Sequence, residues 1–120
     1  MESEIKMIIA VRRDLQMTRG KEIAQACHAC LGAVLPDEVR TSDLTQKWID
    51  QGSAKICVKV NSEQELKDLE TKAEDAGINC CLITDAGRTM FHGIETPTCI
   101  ALGPDTAEKL DPITGQLRLY

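Results

Sequence analysis

Along the chain the apolar residues change repeatedly from a strand-like to a helix-like arrangement, and each change marks an expected element. Met7-Ile8-Ile9-Ala10-Val11 is a continuous apolar run that reads as a buried strand. Arg12 to Arg19 is too polar to continue it, so Gly20 is expected to open a helix after a loop. At about 100° per residue, Lys21, Gln25, His28 and Gly32 fall within roughly 60° of one another, whereas Ile23, Cys27, Leu31 and Val34 fall on the other side. The predicted helix therefore has an apolar face, expected to meet the core, and a narrow polar strip.

Leu35-Pro36-Asp37 interrupts, and Thr41-Ser42-Asp43 offers caps for a second helix carrying Leu44, Trp48 and Ile49 and ending at Gly52. Ala54 to Val60 reads as a second strand, nearer an edge because of its two lysines. Ser62-Glu63-Gln64-Glu65 fits a capping box, and Leu66, Leu69, Ala73 and Ala76 recur at helical spacing until Gly77. Ile78 to Ile83 is a third strand, followed by the loop Thr84 to Thr89. Thr98 to Leu102 is a fourth, expected to stop at Gly103-Pro104. A short helix over Asp105 to Leu110 leads into a turn at Asp111 to Gly115 and a strand-like end, Gln116 to Tyr120. Strands alternating with helices indicate an α/β domain, a three-layer α/β/α sandwich around a mixed, mostly parallel sheet of four strands, or five if the end pairs. With no repeat, low-complexity segment or linker, residues 1–120 form one expected domain.

Composition narrows the classes. No stretch approaches the roughly 18 to 20 apolar residues needed to cross a bilayer, so no membrane partner is expected. The Met-Glu-Ser-Glu start lacks the basic and apolar regions of a signal peptide. A cytoplasmic protein is expected, an association with mitochondria staying open, and in that reducing setting the six cysteines read as small core residues. The net charge of −5 argues against a surface that coats nucleic acid. Charge is uneven, however: residues 1–21 hold five basic residues against three acidic, and a local patch can steer an anionic ligand.

Candidate chemistry gathers at two strand ends. Unpaired N–H groups at the Gly20 helix start, together with Lys21, suit an anion. Lys21 and Gln25 taken alone are ordinary solvated residues; alignment with His28 is what singles them out. Asp85 leaves the third strand, and if strands one and three run parallel it converges with Lys21, since ligands of such sheets bind beyond the strands' carboxyl ends. A carboxylate beside a cation stays ionised and can orient or deprotonate a water. Thr89 suits either a substrate carbonyl or a turn hydrogen bond. Cys27-His28-Ala29-Cys30 has the look of a metal or redox cluster, but on a helix its side chains diverge too far to chelate one ion. No P-loop, GxGxxG or GxSxG motif occurs.

Arg13-Asp14-Leu15 with Met17, Gly20-Lys21, Ala24-Gln25, His28-Ala29, Gly32-Ala33, Asp85-Ala86-Gly87-Arg88-Thr89, Gly103-Pro104 and the ending Asp111…Thr114-Gly115…Leu117-Arg118-Leu119-Tyr120 together resemble the type II (archaeal and eukaryotic) peptidyl-tRNA hydrolases. The resemblance runs from about Lys6 to the last residue. It implies hydrolysis of the ester joining a peptide to the 3′-terminal ribose of tRNA, on an α/β/α sandwich that is often a homodimer and needs no metal or organic cofactor. It carries catalytic positions over to Lys21, Gln25, His28, Asp85, Thr89 and Thr98. On that footing Asp85 would activate water, Lys21 would stabilise the oxyanion, Thr89 and Thr98 would position water or ester oxygens, and His28 with Gln25 would fix the network. The acceptor-end phosphates would meet Gly20 and the Arg12, Arg13, Arg19 and Arg88 patch. A catalytically silent relative that binds tRNA or a protein partner is the alternative, and a CxxC redox module a third.

Overall fold

In the computed structural model, residues 3–87 and 91–120 are described. Strands β1 (Ile5–Arg12), β2 (Lys55–Val60), β3 (Cys80–Asp85) and β4 (Thr96–Thr106) form one sheet in the order β2-β1-β4-β3. Among the described residues the helices are α1 (Arg19–Val34), α2 (Asp37–Arg40), α3 (Asp43–Asp50), α4 (Glu63–Asp75) and α5 (Ala107–Thr114). Alternate residues of β1 feed two cores. Ile8 and Ala10 pack with Leu66, Leu69 and Ala73 of α4 and Leu110 and Ile113 of α5. Met7, Ile9 and Val11 pack with Ala29 and Ala33 of α1 and Trp48 of α3. A strand covered on both faces needs apolar residues at every position, which explains the unbroken run.

The sheet is mixed, as expected, but its parallel share is smaller: β1 pairs parallel with β2, while β4 runs antiparallel to both β1 and β3. A parallel return needs a crossover of a dozen or more residues, and residues 86–95 between β3 and β4 are too few. Because β1 and β3 both oppose β4, they point the same way, and Arg12 and Asp85 end at the same edge of the sheet.

Three boundaries differ from expectation. β4 does not stop at Gly103-Pro104; the pairing shifts at a bulge between Lys6 and Ile8 and resumes with Asp105 opposite Lys6 and Thr106 opposite Ile5. α5 runs through Pro112, because Leu110 and Ile113 are buried on either side of it and hold the turn in place. The C-terminal end makes only an isolated bridge, Val58 to Leu119, so among the described residues the sheet has four strands. The capping box is present in outline: Ser62 accepts from the Glu65 N–H, and the Glu65 carboxylate reaches back to the Asn61 N–H.

The face of α1 is turned relative to the sequence expectation. Gln25, Ala29 and Ala33 are buried against the sheet, while Ile23, Leu31 and, just past the helix, Leu35 are 59%, 55% and 51% exposed. Cys27 is exposed as well. Close approach is the cause: a Cβ added to Gly32 would stand 2.7 Å from the Cys81 sulfur, so only small side chains fit between α1 and the sheet.

Candidate active site

The first turn of α1 is fixed by Thr18, whose hydroxyl accepts from the Lys21 N–H at 3.3 Å. From there the Lys21 side chain reaches the end of β3, where its Nζ lies 2.9 Å from Asp85 Oδ2. Gln25, one turn on, donates its Nε2 to the same oxygen at 2.9 Å. The other oxygen, Oδ1, accepts the Gly87 N–H at 2.6 Å. Gly87 can close this turn because it has no Cβ: its φ is +79°, and an added Cβ would meet the Ile94 carbonyl oxygen at 2.4 Å.

These contacts set the charge state. The hydrogen bond from Lys21, then the Gly87 amide, hold the Asp85 carboxyl below its ordinary value against the opposing effect of burial. The Asp85 and Lys21 side chains are 12% and 15% exposed, so the pair is largely shielded from solvent at the end of β3. Gln25 is held from beneath. The buried Thr98 hydroxyl donates to Gln25 Oε1 at 3.2 Å, which assigns the amide nitrogen to the carboxylate. The Cys99 thiol, pushed up to about 12 chiefly by burial, stays protonated and donates to the Gln25 carbonyl oxygen at 3.2 Å. The result is a chain from β4 through Gln25 to Asp85 and Lys21.

Each expected residue has a place relative to this chain. Lys21, Gln25, Asp85 and Thr98 are brought together. Thr98 is fully buried and its hydroxyl is spent on Gln25, which places it behind the carboxylate. His28 lies outside the network: on α1 it points about 60° away from Gln25, is exposed, and makes no hydrogen bond among the described residues. Thr89 and Arg88 fall outside the described residues. The helix opens one residue earlier than expected, at Arg19, and a Cβ added to Gly20 would meet nothing within 4 Å.

The arginine patch divides. Arg12 is buried and grips Asp14 with both ends of its fork, at 3.1 and 2.6 Å, while donating to the Pro97 carbonyl at 3.0 Å. It holds the residue before Thr98 and is committed to the protein, whereas Arg13 and Arg19 line a surface cavity with Glu22 and Tyr120. Arg13 stacks over the Tyr120 ring, 5.0 Å from its centroid, and donates to the Tyr120 hydroxyl at 2.6 Å. Three features escaped the sequence reading: the Arg12–Asp14 clamp, the Phe91 ring 5.5 Å from Lys21 Nζ, and the tie from Tyr120 to Glu22. Only the last left a trace, Tyr120 being the sole tyrosine of the chain.

The cysteine cluster loses its redox reading. Cys27 is exposed, and burial raises rather than lowers the Cys30 thiol, the reverse of an activated pair. Among the described residues, no group of three or more His, Cys, Asp or Glu side chains converges on a metal-sized site.

Comparison with known proteins gives a consistent answer. A family model described as peptidyl-tRNA hydrolase PTH2 matches residues 5–120. The peptidyl-tRNA hydrolase of Methanocaldococcus jannaschii is 42% identical over 115 residues, which is 96% of this chain and 99% of the relative. That of Methanothermobacter thermautotrophicus is 44% identical over 115 residues, with the same coverage of each. Peptidyl-tRNA hydrolase 2 of Saccharomyces cerevisiae is 39% identical over 123 residues, spanning 98% of this chain and 59% of the relative.

Proposed function

The chain belongs to the peptidyl-tRNA hydrolase PTH2 family, and from that premise we propose that its Lys21–Asp85 centre carries out the hydrolysis of peptidyl-tRNA. The protein is an enzyme, a hydrolase of the ester between a peptide and the 3′-terminal ribose of tRNA, releasing both. The observation that carries the assignment of the site is the 2.9 Å ammonium–carboxylate contact at the shared edge of β1 and β3.

Ester hydrolysis needs a directed water, a partner for the tetrahedral oxyanion and a proton for the departing ribose oxygen. Asp85, held ionised, accepts a hydrogen bond from the water and aims its lone pair at the carbonyl carbon. A carboxylate with three donors already on it is a weak base, so in the ground state Asp85 orients the water; as the new C–O bond forms and the attacking water becomes acidic, its proton passes to Asp85 and from there to the ribose oxygen as the ester bond breaks. The Lys21 ammonium faces the charge that grows on the carbonyl oxygen. Gln25, locked by Thr98, keeps the carboxylate from swinging. The first turn of α1, with Arg13 and Arg19 nearby, meets acceptor-end phosphates, a contact that weakens with salt.

The test is turnover. Purified protein is expected to release N-blocked peptide from peptidyl-tRNA, with KM rising as salt is raised. Tight tRNA binding without peptide release would instead support a silent binder; that reading is disfavoured because a binder gains nothing from a carboxylate facing phosphate.

For assembly and compartment the surface supports the following reading. The outward face of α1 supports a homodimer, since Leu31 and Leu35 stand well exposed on it, about 15 Å or more along the helix from Lys21. Leu31→Glu is expected to convert a dimeric wild type to monomer in light scattering. A monomeric wild type at micromolar concentration would remove this proposal. Six unpaired thiols suit a reducing, cytoplasmic setting.

A further inference from the structure

Beside the first turn of α1 lies a cavity of which the chemistry above uses only the two arginines. It has a volume of about 470 Å³ and is lined by buried Val11 and Met17, by Ile23, and by Arg13, Arg19, Glu22 and Tyr120 among others. Lys21 and Glu22 are neighbours in sequence, their Cα atoms about 3.8 Å apart, but their side chains leave the helix about 100° from each other. Lys21 thus faces Asp85 while Glu22 faces this cavity.

The cavity wall is built rather than incidental. Tyr120 is the last residue, yet its N–H donates to the Cys57 carbonyl at 3.0 Å, and the Arg118 carbonyl accepts from the Lys59 N–H at 2.9 Å, so the end of the chain is laid along β2. The Tyr120 hydroxyl accepts from Arg13 and donates to Glu22 Oε1, which fixes the ring while leaving the residue 45% exposed. Arg19 and the second Glu22 oxygen have no partner among the described residues. An aromatic surface, an apolar lining, guanidinium groups and one open carboxylate oxygen together match a nucleotide: a ring to stack, a phosphate to neutralise and an exocyclic amine to accept from.

We propose that this cavity seats a nucleotide of the tRNA 3′ end, its base against Tyr120 and the apolar lining, its exocyclic amine on Glu22 and its phosphate on Arg19 and Arg13. The inference rests on the peptidyl-tRNA reading and adds a base preference to it. The invariant C-C-A end of tRNA offers an amino-bearing base at every position, whereas uracil presents a carbonyl that Glu22 would repel. Phosphates alone carry no such information.

A single tyrosine makes the test clean. Protein labelled with 3-fluorotyrosine gives one fluorine resonance, which the trinucleotide C-C-A is expected to shift saturably. Triuridylate, of equal charge, is expected to bind several-fold more weakly, and an N-acetyl amino acid amide, mimicking the peptide end, to leave the signal in place. Glu22→Gln should narrow the difference between the two trinucleotides. Arg19→Ala should raise KM for peptidyl-tRNA about ten-fold with a smaller change in kcat. The proposal is overturned if C-C-A leaves the resonance unmoved at concentrations that inhibit hydrolysis, if triuridylate matches it, or if the peptide mimic alone moves it. Failure of the broader reading looks different, because the wild type would then release no peptide at all.

Discussion

Asp85→Asn is expected to lower kcat for peptidyl-tRNA about a thousand-fold while leaving KM unchanged or slightly lower. The substitution keeps the shape of the side chain and removes its charge. Oδ2 now accepts from both Lys21 and Gln25, each at 2.9 Å, and Oδ1 from Gly87. An asparagine has one acceptor oxygen for three donors, and its amide nitrogen must face a second donor whichever way it turns. A water in the site loses the group that aims it, and Lys21 loses its counter-charge. Binding moves the other way, since a negative charge near the phosphates has been removed. The kinetic split is therefore the informative readout: kcat falls and KM does not rise. An Asp85→Asn protein with kcat within ten-fold of wild type, unfolding at an unchanged temperature, would exclude Asp85 from the chemistry.

How much of this was written legibly in the chain depends on what periodicity registers. Buried strands and the α4 helix were readable because large apolar residues, Ile8, Ile9, Leu66 and Leu69, do the packing there. On α1 the same reasoning picked the wrong face, because the helix lies so close to the sheet that Gln25, Ala29, Gly32 and Ala33 are the residues that fit. A pattern read by hydrophobic size gives Ile23 and Leu31 to the core, whereas contact distance gives it to the small ones. The strip with Lys21 and Gln25 was still the functional one, for a different reason than polarity: it borders the sheet-facing surface, whose far side carries Asp85. His28, about 20° from Lys21 on the helix, lies on the side of that strip away from Gln25 and is exposed. The antiparallel course of β4 was implicit in the short 86–95 connection, a length constraint that a strand-by-strand reading does not apply. Arg12 could not be placed from sequence, since its commitment to Asp14 and Pro97 depends on where β4 passes.

Lys21→Met should separate two roles that the wild type combines. As the partner of the oxyanion, Lys21 contributes to kcat, and its loss is expected to lower kcat about a hundred- to a thousand-fold. As the largest influence on Asp85, it also sets where that carboxyl titrates. In the wild type the folded-state value lies below the ordinary 3.8, so the pair's contribution to stability is complete above that ordinary value and is lost as pH falls through the lower, folded one. Removing the ammonium leaves the Gly87 and Gln25 hydrogen bonds to hold the charge against burial, and the carboxyl moves back up. Both the acid limb of kcat/KM and the acid side of the stability curve are then expected to shift to higher pH in Lys21→Met, with Lys21→Arg restoring the limb more than the rate. Two results would count against this account. An unmoved acid limb would show that Lys21 does not govern Asp85, and an effect confined to KM would make Lys21 a phosphate anchor rather than part of the ester chemistry.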